Sequence, residues 1–181
     1  MKWSQLKKRL EASFADSVAG RVEVWSTRYR KPSDELGEAW ITIDKERVWS
    51  MGTCTYYAEA HRAAQQFSGE SFISSDRAQR EVYWQARKQA EKSFANQGVC
   101  SLEDVDKALF GFLNLSINDP VTSDNPIIRA FAIIDGRFGR RRLLQFNDSD
   151  EHPLVRTLYR FRCRAEGIKL NSEPLNPADR P

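Results

Sequence analysis

Three runs lie close together between residues 21 and 51: Arg21-Val22-Glu23-Val24-Trp25-Ser26-Thr27-Arg28-Tyr29, then Glu38-Ala39-Trp40-Ile41-Thr42-Ile43, then Arg47-Val48-Trp49-Ser50-Met51. Each is rich in β-branched and aromatic residues, the side chains that fit a pleated, half-buried surface. Asp44-Lys45-Glu46 between the last two is a short polar hairpin connection, and Pro32 and Gly37 break the longer loop between the first two. The stretch therefore predicts a small antiparallel sheet. Upstream, Trp3, Leu6, Leu10 and Phe14 recur at spacings of three and four, one apolar stripe of a helix that ends by Gly20. Downstream, Thr53 or Thr55 can cap an alanine-rich helix over 56–67. The first third reads as α-β-β-β-α.

Beyond it the pattern is helical. Ser74 or Ser75 can cap a helix over 76–96 with Val82, Ala86, Ala90 and Phe94 stacked on one face. Ser101 and Asp104 form a capping-box pair ahead of Leu102, Val105, Leu109, Phe112 and Leu113. A weak internal repeat follows, Pro126-Ile127-Ile128-Arg129-Ala130-Phe131 against Pro153-Leu154-Val155-Arg156-Thr157-Leu158. The two segments run toward Gly139 and Gly167 respectively. Proline just inside and glycine just past predict two helices of about 13 residues, with Asn125 as an N-cap. A hairpin over 127–146, turning at Asp135-Gly136, is the rival reading. The expected fold is α+β: a three-stranded antiparallel sheet in an α-β-β-β-α unit over 1–70, a helical C-terminal half over 71–170 packed on it, and a loose tail over 171–181.

The chain has 181 residues and a net charge of +3, which conceals segregation. Residues 1–31 hold eight Lys/Arg against three acids, 32–125 nine against fifteen, and 126–170 ten against five. The acidic middle can neutralise the basic ends or leave a basic face open, and neutralisation is the expectation. No apolar run approaches the length of a membrane helix, and the N-terminus lacks the apolar core of a signal peptide. Three cysteines without CxxC spacing suit a reducing cytoplasm.

Two resemblances carry expectations. Lys2-Trp3-Ser4-Gln5-Leu6-Lys7-Lys8-Arg9-Leu10-Glu11, with the Pro126 and Pro153 segments, resembles a family of small uncharacterised soluble bacterial proteins. That implies a bacterial, cytoplasmic protein and no catalytic residues. The α-β-β-β-α order over 2–67 is similar to the double-stranded-RNA-binding domain, whose second helix opens with phosphate-holding lysines. Here Thr55, Tyr56, Tyr57 and Glu59 stand in that place.

Catalytic motifs are scarce. There is no GxxxxGK[ST], GxGxxG or GxSxG, and His61 and His152 lack metal-ligand spacing, so no cofactor or metal is expected. Cys54, at a strand-to-helix junction, is the one nucleophile candidate, though a small buried packing residue is the plainer expectation. Arg140, Arg141 and Arg142 flank Gly139, and Arg156, Arg160 and Arg164 form a helical stripe, candidates for anion or nucleic-acid contact. Arg28, Arg30 and Lys31 around Tyr29 form the one aromatic–basic cluster of the kind that contacts nucleic acid. Aromatics on the sheet should be largely core, and any left on its open face would mark an interaction surface. The function expected is a non-enzymatic protein-interaction or accessory role, by a protein partner or self-association. A nucleic-acid-binding surface is the first alternative and a small cysteine enzyme the second.

Overall fold

The computed structural model describes residues 2–29, 36–116 and 118–170; Arg30, Lys31 and the tail 171–181 lie outside the described residues. Its elements run α1 (Trp3–Glu11), β1 (Val22–Arg28), β2 (Gly37–Ile43), β3 (Glu46–Gly52), α2 (Thr53–Ser68), α3 (Arg77–Gln97), α4 (Leu102–Phe112), α5 (Asn118–Val121), α6 (Pro126–Ile134), α7 (Arg140–Gln145) and α8 (Pro153–Ala165). The fold is α+β, with a three-stranded antiparallel sheet in the order β1-β2-β3.

The β2–β3 connection is tighter than the sequence suggests. Only Asp44 and Lys45 form the turn, both with positive φ (49° and 73°), and Glu46 already pairs with Ile43. Two consecutive positive φ values define the mirror-image turn whose twist matches the strands. On one sheet face Val22, Val24, Ala39 and Ile41 are buried. β2 enters at Gly37, where a Cβ would collide with the Thr27 carbonyl and the Leu102 side chain. Glycine is required there because helix α4 presses on the sheet.

The sheet's buried face and the C-terminal helices share one core. Leu6, Leu10, Val24 and Ile41 cluster with Phe112, Ile127, Phe131 and Leu158. At its centre is α6, buried on nearly every side (Ile127, Ala130, Phe131, Ala132, Ile133, Ile134). A helix apolar all round belongs inside. Asn125 caps it as expected, its Oδ1 accepting from the Ile127 N–H at 2.9 Å.

The first member of the Pro126/Pro153 repeat departs from expectation. α6 stops at Ile134 because the chain there pairs with the segment after α1. Ala15 N donates to Ile134 O and Gly136 N to Ser13 O, both at 2.8 Å. A separate short helix, α7, then starts after Gly139, so 127–146 is neither one helix nor a hairpin. The second member, α8, spans the predicted 13 residues and is followed by Gly167 at φ 65°.

Helix α3 also shifts. Its first turn is capped by Asp76 rather than Ser74 or Ser75, with Ala78 N donating to Asp76 Oδ1 at 2.8 Å. Ala90 and Phe94 are buried and Ala86 half-buried as expected, but Val82 is 51% exposed and Tyr83 takes its place on the buried face. Helix α2 begins at Thr53 itself with Gly52 in the N-cap position, and the Thr53 Oγ1 accepts from Leu102 N at 3.4 Å, tying α2 to α4. The Ser101–Asp104 capping box is present as expected.

Candidate functional site

The arginines come first, since they are the strongest candidates from sequence. α7 places Arg140 and Arg141 in its first turn, the positive end of the helix dipole, where cations are disfavoured. Arg140 answers this by reaching across to α8, its Nη1 donating to the Glu166 carbonyl at 2.7 Å. Arg142 donates to Asn118 Oδ1 at 2.8 Å. Arg156 donates to the carbonyls of Asp148, Ser149 and Glu151, and Arg160 pairs with Asp148 at 2.7 Å. Arg164 is exposed on the last turn of α8 and has a partner of its own. Arg141 is exposed, without an ion pair among the described residues.

The key arginine is a different one. Arg162 is 2% exposed, and it donates to Ile133 O at 2.6 Å, Asp135 O at 2.7 Å and Glu166 Oε1 at 2.8 Å. It closes the carbonyl end of α6 from α8. The acidic middle answers the basic N-terminal segment at Arg21–Asp44 and Arg28–Asp106. In the C-terminal segment the ion pairs are local instead, at Arg129–Glu151, Arg137–Asp135, Arg160–Asp148 and Arg162–Glu166.

Of the aromatic–basic cluster, Arg28 is held by Asp106 at 2.8 Å, and the Tyr29 hydroxyl donates to Glu38 at 3.4 Å. Arg30 and Lys31 lie outside the described residues.

Cys54 is exposed, which overturns the reading of it as a buried packing residue. It sits in the first turn of α2 beside the end of β3. His61, further along the same helix, has its Nδ1 at 2.9 Å from the Tyr83 hydroxyl, a partner on α3 rather than the thiol. Cys100 and Cys163 are buried. Burial pushes the Cys100 thiol up to about 12, with Asp104 adding to it, and raises Cys163 as well. Thiols kept protonated in this way are packing groups, not nucleophiles.

The sheet's outer face carries aromatics that composition alone assigns mostly to the core. Trp25 and Trp40, paired across β1 and β2, stack at 6.3 Å and 14° on the side away from Val24 and Ile41. Lys7 Nζ lies 4.0 Å from the Trp25 ring centre, and the Arg47 guanidinium 4.6 Å from that of Trp40. Both cations also hold carboxylates, Lys7 that of Glu11 at 2.7 Å and Arg47 that of Glu38 at 2.6 Å. Only Trp49 of the sheet's tryptophans packs against the core.

A second surface lies on α2 and α3, which pack chiefly on each other as an antiparallel hairpin with its own small cluster, Ala60, Ala90 and Phe94. Toward the turn, His61, Phe72, Tyr83 and Trp84 form a chain of ring contacts at 5.2–5.9 Å. Tyr83 is buried within it, while Phe67 and Ile73 are each 76% exposed and Phe72, Val82, Trp84 and Tyr57 are exposed as well. Arg87 lies over both Tyr57 and Trp84, at 5.4 and 5.2 Å, while paired with Glu91. Among the described residues, six of the eleven exposed large hydrophobics are on this arm, a concentration rather than the usual scatter. The sequence signal for it is Phe67 and Phe72-Ile73 bracketing the polar turn Ser68-Gly69-Glu70-Ser71, apolar bulk where a turn would ordinarily be polar.

A protein-family model, the SF0329 protein family, matches residues 2–163. The chain belongs to the SF0329 family. No curated protein and no solved structure matches it. The family's description names no reaction, ligand or partner, so the surfaces of an SF0329 chain carry what can be said of its role. Among the described residues no helix is long and apolar enough to cross a membrane, and no group of three or more His, Cys, Asp or Glu side chains could hold a metal ion.

Proposed function

We propose that this SF0329-family chain is a non-enzymatic protein-interaction or accessory protein of the bacterial cytoplasm, and that its α2–α3 arm is the surface it offers to a partner protein. The observation that carries the reading is the exposure of Phe67, Phe72 and Ile73 around the arm's turn. Aromatic and apolar side chains gathered on one projecting element are the composition of an interface centre. Free cysteines, two of them buried, support a reducing compartment.

A nucleic-acid surface is the second reading, and the Trp25–Trp40 stack and exposed Arg141 speak for it. It has less support. The tryptophan rings already carry cations that are paired with carboxylates, and Arg156 and Arg160 are engaged by carbonyls and by Asp148. The first turn of α2 also carries no cation. The double-stranded-RNA resemblance thus reduces to an order of elements, without the counterion release that drives such binding. A cysteine enzyme has less still, since His61 is engaged with Tyr83.

The test is affinity capture from cells that make the protein, comparing wild type with a variant carrying Phe67→Ser, Phe72→Ser and Ile73→Ser. A protein retained by wild type and lost with the variant is expected. Equal retention by both would overturn the arm's role. A mobility shift of single-stranded DNA or duplex RNA that weakens with salt would move the function to nucleic acid.

A further inference from the structure

The two edges of the sheet are treated differently. On β1, the Val24 C=O accepts from Lys7 Nζ at 2.9 Å, and the Val24 N–H donates to Glu11 Oε1 at 3.4 Å. Helix α1 therefore lies along that edge and takes up both outward-facing backbone groups of Val24 at its middle. Covering an edge this way is how proteins prevent strand pairing.

β3 has no such cover. Ile41 pairs with Trp49 and Ala39 with Met51, while Tyr29 N donates to Leu36 O at 2.8 Å on the β1 side of β2. In an antiparallel ladder these alternate, so the N–H and C=O of Ser50 point away from β2. The register slips between the Ile41–Trp49 and Thr42–Arg47 pairs, which leaves Val48 without a partner on β2. Among the described residues, no group outside the sheet hydrogen-bonds the backbone of Val48 or Ser50. Both side chains are exposed, Val48 at 38%. Beside this edge is a cavity of about 570 Å³ whose lining combines apolar Val48 and Phe161 with the charged Arg21, Asp44, Glu46 and Arg164.

We propose that β3 is a self-association edge, where two copies of this chain pair β3 to β3, antiparallel about a two-fold axis, into one continuous sheet. Unpaired strand groups select another strand as their occupant. A second copy supplies a strand that fits. Its own uncovered edge is the same β3, and such a pairing is isologous and closed, with α1 capping β1 at both far ends. In registers centred on 48 or 49, Glu46 faces Ser50 or Gly52 and Arg47 faces Trp49 or Met51 of the other copy. No like-charged pair then meets across the edge. The cavity beside the edge receives the other copy's Val48. This surface is distinct from the α2–α3 arm, which stays free in the pair.

Light scattering behind size exclusion, over a wide range of concentration, tests the proposal. The expected mass for wild type is twice 20.9 kDa, falling to the monomer's as the protein is diluted. Ser50→Pro removes the outward N–H, which a lone edge strand does not need, so a monomer with unchanged far-ultraviolet circular dichroism is expected. Val48→Lys keeps every backbone donor and is expected to be monomeric too; it is the deciding variant if Ser50→Pro does not fold. The arm variant with Phe67→Ser, Phe72→Ser and Ile73→Ser is expected to remain dimeric, which separates this surface from the arm. A wild type monomeric at every concentration, or a dimer that survives Val48→Lys, overturns the proposal.

Discussion

Arg162 is buried, whereas Arg156 and Arg160 of the neighbouring stripe are half-buried and Arg164 is exposed. Its carboxylate partner Glu166 is itself held by Ser17 Oγ at 3.3 Å, and two carbonyls depend on Arg162. Arg162→Leu strands all of these, and breaking a buried charge pair from one side costs about 3–5 kcal/mol. A urea titration should show that loss, whereas Arg141→Ala should stay within about 0.5 kcal/mol of wild type. His152 gives a pH dependence. Its Nδ1 accepts from Leu154 N at 3.2 Å as the N-cap of α8, and its Nε2 lies 2.9 Å from the Gln97 carbonyl. That pairing assigns the proton to Nε2 and keeps the ring neutral. Burial, first of all, lowers its pKa below 6.5, with Arg129 acting the same way and Gln97 O and Glu151 against it. A histidine whose folded pKa is depressed gives stability that is full above its unfolded value and lost as pH falls through the folded one. The melting temperature should therefore drop on acidification below about pH 6.5. His152→Asn, which keeps a capping oxygen, should flatten that part of the profile.

Among the elements, the β2–β3 turn makes the clearest case. Lys45 sits at φ 73°, a region that costs a side-chain-bearing residue about 1 kcal/mol and costs glycine nothing. Lys45→Gly should raise the urea midpoint, with a gain of up to about 1 kcal/mol. The strands, the Ser101–Asp104 box and the Asn125 cap are legible in the sequence because each depends on residues within a few positions of one another. The end of α6 is not, because Ser13 and Ala15, far away in sequence, take up the backbone of Ile134 and Gly136. The same holds for the arginines. Their spacing marks a stripe, but it cannot show that Arg140 caps α8 and Arg162 caps α6, contacts between residues 26 and 29 positions apart. Composition alone assigns Trp25 and Trp40 inward, and the strand alternation with Val24 and Ile41 decides the matter the other way. On α3, Val82 and Tyr83 are neighbours of similar apolar character, so the sequence period does not separate them. Tyr83 is the one inside because its hydroxyl meets His61.

For the whole molecule, the +3 charge resolves into pairs across the fold for the N-terminal segment, Arg21–Asp44 and Arg28–Asp106, and into pairs within the C-terminal segment, and the arm and the β3 edge are the surfaces proposed to take partners. The body's core runs through α6 and does not include the Ala60–Ala90–Phe94 cluster of the arm. Changes at the arm's turn should therefore alter binding while leaving the body's core intact. Phe67→Ser with Ile73→Ser, each side chain 76% exposed, is expected to stay within about 0.5 kcal/mol of wild type, and adding Phe72→Ser is expected to cost more, because its ring meets His61 and Tyr83. The most direct measurement is site-directed photo-crosslinking in living cells, with a benzophenone side chain placed at Phe72 and, for comparison, at Arg141. A discrete protein adduct is expected from position 72 and none from position 141. Adducts to nucleic acid from position 141, with no protein captured at 72, would contradict the arm's role as the interaction surface.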